Sequence, residues 1–279
     1  MSALSEHERA LARQATLELA HQTSALVLAT LRQPPQDGSL SQRFAVDPRN
    51  LPISDSATVS AGAANTILLT AMAAEDHVDA FIASVKRGKQ SVSNATVVRG
   101  VLEAYAKTYF LASAITFEQL LQRYCSLVWD ELQYPVRHSS FADTTGALID
   151  GAAYREAFRL LLESHGMGKP LAVPMTALVA SLLEDAIDGA ADPAIYSQLS
   201  GVAHAGTSSV GMFFENVADL EMVMPAQIGH EYTGYVFAAI RTAALAFIDA
   251  YAPPTAAHDR WLAALGRAES AIAQMRRVP

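Results

Sequence analysis

The sequence predicts an all-α fold, a single bundle-like domain of nine or ten helices spanning residues 1–279. Three observations predict it. Apolar residues recur at three- and four-residue intervals along nearly the whole chain, the period of helices with one buried face. No stretch alternates apolar and polar residues between hairpin turns, and no fixed-period repeat occurs. Hydrophobic residues make up 51% of the chain and charged residues 17%, ample material for a core and a poor match to disorder.

Each element follows from local signals. Residues 4–31 form an Ala/Leu-rich run without a breaker, ended by Gln33-Pro34-Pro35-Gln36-Asp37-Gly38. Pro48 and Pro52 extend the irregular stretch, so 33–57 reads as a long loop packed over one end of the bundle, a lid or crossover. A second long helix is expected over 58–86, closed by Arg87-Gly88-Lys89, and a third over 94–113. On the third, Val98, Val101, Leu102, Tyr105 and Tyr109 form one apolar face. Helices over 117–134 and 148–165 flank a polar loop at 137–145, and Gly166-Met167-Gly168-Lys169-Pro170 stops the second of them. A helix over 175–187 leads into a short one over 193–205. Residues 207–216 read as a further turn or two of helix and 220–225 as an extended connector. Helices over 228–251 and 257–276, parted by Pro253-Pro254, complete the chain.

Charge and cysteine usage narrow the partners. Twenty Lys and Arg against 28 Asp and Glu give a net charge of −8, the wrong sign for a nucleic-acid or anionic-membrane surface. Cys125 is the single cysteine, so an intrachain disulfide and a cysteine zinc site are excluded. The first residues carry Glu6, Glu8, Arg9 and Arg13 with no apolar signal region, and the uncharged stretches 56–74 and 193–214 are too polar to read as spans. A cytoplasmic protein is expected.

The chemistry concentrates at residues 192–206. Asp192 and Pro193 are the cap and first position of a short helix. Tyr196, Ser200 and His204 recur every four residues and so share one face, drifting by about 80°. Three polar groups along an apolar helix need partners, from the protein or from a ligand. Arg99 and Glu103, four apart on the third helix with Lys107 four further on, are either an exposed charge ladder or the inward-turned complement of that stripe. In the second case a carboxylate orients an imidazole, and arginine offers a fork to an anionic group. His204 itself reads either as a buried pin between helices or as a functional imidazole.

Arg99-x-x-x-Glu103 followed much later by Tyr196-x-x-Leu199-Ser200-x-x-x-His204 resembles bacterial helical proteins related to the HEPN superfamily. The resemblance covers about the middle half of the chain. It implies a small helical bundle, in a superfamily with many ribonucleases and toxins whose signature is an arginine four to six residues before a histidine. Residues 199–203 before His204 contain no arginine, so the expectation is a non-nucleolytic member. It would bind a small molecule or a protein partner through Arg99, Glu103, Tyr196, Ser200 and His204.

The alternatives use other chemistry. The same five residues would be catalytic in a small-molecule enzyme, with His204 as general acid/base, Glu103 orienting it and Arg99 stabilising negative charge. Glu184-Asp185-x-x-Asp188 is similar to the acidic motif with which class I terpene cyclases hold magnesium and diphosphate, but the second metal motif of that family is missing. Glu18-x-x-His21 is a single pair where a di-iron bundle needs two. No cofactor and no metal are therefore expected. A third reading is a helical interaction protein that forms homo-oligomers through an Ala-rich face.

Overall fold

The computed structural model describes residues 3–45, 50–51, 54–86, 93–132, 140–142, 148–184, 193–204, 214–216, 221–222 and 225–277. Among them are ten helices: α1 (Glu6–Leu31), α2 (Leu40–Ala45), α3 (Val59–Lys86), α4 (Ser93–Ala112), α5 (Phe117–Glu131), α6 (Gly151–Ser164), α7 (Met175–Glu184), α8 (Pro193–Ala203), α9 (Ala226–Tyr251) and α10 (Thr255–Met275). The fold is an all-α, single-domain bundle.

Helix ends are set by capping chemistry. Ser5 opens α1 with a capping box: its hydroxyl accepts from the Glu8 N–H at 3.2 Å, and the Glu8 carboxylate accepts from the Ser5 N–H at 2.6 Å. Thr116 caps α5 by accepting from the Gln119 N–H. Helix α6 ends in a Schellman turn, with Gly166 at φ +71° donating to Glu163 and Met167 donating to Leu162.

Four long helices make the centre: α3 and α9 each pack against both α1 and α4. Helix α10 covers the outer side of α1, while α7 and α8 lie on α4. Small residues let α1 and α10 approach closely, with Ala12, Ala15 and Ala20 buried on one and Ala257, Ala264, Ala268 and Ala271 on the other. Three core threonines of α1 are satisfied within the helix. Thr16, Thr23 and Thr30 each donate to the carbonyl four residues back. Among the described residues, α9 is the one helix long and apolar enough to cross a membrane, and 56% of its most apolar stretch is buried inside the bundle.

The structure departs from the expectations in three places. Residues 33–57 are not a plain loop: α2 lies within them, and Asn50–Leu51 (β1) pairs antiparallel with Ser54–Thr58 (β2). Ser39 anchors α2 by accepting from the Gln42 N–H, and burial of Phe44 holds it to the bundle. Leu148–Asp150 is a strand (β4) paired with Ser140–Ala142 (β3) rather than the start of α6, because the Asp150 side chain accepts from the Ala153 N–H and caps the helix there. Phe214–Asn216 (β5) is likewise a strand, paired with Glu221–Met222 (β6), where a helical turn was expected.

Candidate functional site

All five residues singled out in the sequence meet at the seam between α4 and α8. The four-residue spacing puts Arg99 and Glu103 on one face of α4, and the guanidinium Nε donates to Glu103 Oε1 at 2.7 Å. The same carboxylate oxygen accepts from the Tyr196 hydroxyl of α8 at 2.6 Å. One Glu103 oxygen therefore ties two helices together. The Arg99 guanidinium lies 5.1 Å from the centre of the Tyr196 ring, within cation–π range.

The other side of Arg99 is held more loosely. Its Nη1 donates to Ser200 Oγ at 3.3 Å and approaches His204 Nε2 at 3.4 Å, both long for such bonds. A guanidinium only donates, so a hydrogen bond to His204 exists here only in the tautomer that leaves a lone pair on Nε2. The cluster grades from inside to outside: Tyr196 is buried, Arg99 and Ser200 are half-buried, and His204 is exposed. His204 is thus no buried pin between helices.

Electrostatics fix the protonation of two members. Burial, followed by the hydrogen bond from Tyr196 to Glu103, pushes the Tyr196 phenol up to about 12, so it remains a donor. Burial lowers Arg99, but its bond to Glu103 and that carboxylate's charge outweigh this and leave it above its ordinary value. Lys107 does not extend the ladder inward and pairs with Glu131 on α5. Beneath the cluster α3 and α4 are close: a Cβ on Gly100 would stand 2.9 Å from the His77 imidazole.

The other motifs are dispersed. Glu18 pairs with Arg267 of α10, whereas His21 faces Glu75 and Asp79 of α3 at 3.3 and 3.6 Å. Among the described residues, no group of three His, Cys, Asp or Glu side chains is disposed to hold a metal ion. Glu184 ends α7, and Asp185 and Asp188 lie outside the described residues. Burial pushes the Cys125 thiol up to about 12, which makes it unreactive.

Sequence reading missed a pocket at the opposite end of α3, between α1, α2 and the end of α9. Its wall comes from four separate segments, and no single one carries a recognisable pattern.

No family model, curated protein or solved structure matches this chain.

Proposed function

We propose that the chain is a cytoplasmic, HEPN-like helical binding protein that does not cut RNA, and that the α4–α8 seam takes an anionic group of a small molecule. One observation carries this reading: the two-sided environment of Arg99. Glu103 and the Tyr196 ring orient the guanidinium from within, while among the described residues Nη1 meets no carboxylate, just Ser200 and His204 at long distances near the surface. A carboxylate or phosphate oxygen would replace those weak contacts with charge-assisted ones, and Ser200 would donate to it as well. The ion pair with Glu103 and the net charge of −8 favour a single anionic group over a polyanionic backbone.

The test is titration with succinate and with inorganic phosphate, followed by calorimetry. Saturable binding to the parent is expected, weakening with salt because the rim is exposed. Arg99→Gln should lower affinity roughly ten- to a hundredfold, the effect of one hydrogen bond to a charged group. Absence of saturable binding, or binding indifferent to Arg99→Gln, would sink the proposal.

A second reading, His204 as a general base, draws support from its exposed place at the rim of the cluster, where an imidazole can meet a ligand beside Arg99. Turnover lost in His204→Ala with ligand affinity retained would separate it from simple binding.

A further inference from the structure

The pocket remote from the seam has the features of a second ligand site. It encloses about 230 Å³ between the end of α1, the 33–36 turn, α2, the start of α3 and the α9–α10 corner. Leu31, Phe44, Ala64 and Pro254 give it apolar walls. Among the described residues that line it, none carries a charged side chain. Its small hydroxyls are already engaged: Thr30 donates to the Leu26 carbonyl, Ser60 to the Phe44 carbonyl, Ser41 shares a hydrogen bond with Ser39, and Thr58 accepts from the Ala61 N–H. The Gln33 and Gln36 side chains stand at the rim turn.

Tyr251 is different. It lines the pocket and is 7% exposed, yet its hydroxyl has no hydrogen-bond partner among the described residues. Its ring is fixed by stacking on Phe247, with centroids 4.6 Å apart and planes 11° from parallel. The hydroxyl is not among the buried polar atoms left without a partner, so solvent meets it at the pocket, and a ligand's acceptor would take the place of that water. The next residue, Ala252, also lines the pocket and holds a left-handed conformation at φ 45°.

We infer that this pocket binds a neutral small molecule with one aromatic ring or short alkyl body and one hydrogen-bond acceptor, which receives the Tyr251 hydroxyl. The size follows from the volume: a cavity of roughly 150 Å³ holds benzene, so this one holds a ring with a short substituent. Neutrality follows from the described walls, which offer no countercharge to an ion leaving water. This site is independent of the seam and does not rest on the reading of Arg99.

Three probes of similar shape test it by calorimetry on the full chain: acetophenone, isopropylbenzene and benzoate. Acetophenone should bind saturably, about five- to tenfold tighter than isopropylbenzene, the effect of one neutral hydrogen bond. Benzoate should bind weakest. Tyr251→Phe should bring the ketone down to the hydrocarbon's affinity and leave the hydrocarbon unchanged, which a merely loosened fold would not do. Ala64→Phe, checked for native helicity, should abolish binding of both. The inference is overturned if no probe saturates, if benzoate matches the ketone, or if Tyr251→Phe leaves the ketone's preference intact.

Discussion

At the scale of single residues, the fold depends on a few charged groups with more than one task. Glu8 is the clearest. One of its oxygens completes the capping box of α1, and the other lies 2.8 Å from His230 Nε2, which ties α1 to α9. Burial pushes its carboxyl up, but the Ser5 hydroxyl and N–H, followed by His230, outweigh this and hold it below the ordinary value of 4.5. A group held low in the folded state binds its proton more tightly when unfolded. Its contribution is therefore present above about pH 4.5 and is lost as pH falls through the folded value. Glu8→Gln should cost about 1–2 kcal/mol at neutral pH and flatten the acid limb of stability measured by urea unfolding between about pH 5 and 3. The five seam residues behave differently. Their i,i+4 spacings were legible because a helix brings such positions together whatever surrounds it. The cation–π contact and the exposure of His204 were not, since both depend on how α8 lies on α4.

At the scale of elements, breakers and caps explain most boundaries. Proline and glycine stops were legible at 33–38, 166–170 and 253–254, because each acts on its own backbone. The start of α6 was misread because apolar periodicity over Leu148 and Ile149 continues into the strand, while the capping role of Asp150 marks the true start. The corner between α9 and α10 stores a small strain. Ala252 at φ 45° donates to the Ile248 carbonyl, a position that glycine occupies without a Cβ penalty. Ala252→Gly should stabilise the protein by about 0.5–1 kcal/mol, seen as a rise in Tm, because the left-handed penalty on alanine, about 1–2 kcal/mol, exceeds glycine's greater unfolded-state entropy.

At the scale of the whole molecule, the first and last helices close on each other. Trp261 of α10 is fully buried, and its indole N–H donates to Thr23 Oγ1 of α1 at 3.0 Å. A bundle closed in this way should unfold as one unit. In a Trp129→Phe background, Trp261 fluorescence and far-ultraviolet circular dichroism should give coincident urea midpoints. Trp261→Phe should lower stability by about 1–3 kcal/mol through lost volume and the orphaned Thr23 contact. Separate midpoints would show that α10 and its neighbours unfold apart from the centre.

The sequence by itself determined the helical class, the apolar face of α4, most helix ends, and the fact that Arg99 and Glu103 share one face as Tyr196, Ser200 and His204 share another. These depend on backbone period and on side chains within a turn or two. The tertiary structure alone decided that the two faces meet, that residues 33–57 contain α2 and the β1–β2 pair, and that Tyr251 borders a pocket built from distant segments. The reason is physical: burial of apolar surface is non-directional, so which helix faces join is settled by close packing over the entire chain rather than by any local stretch.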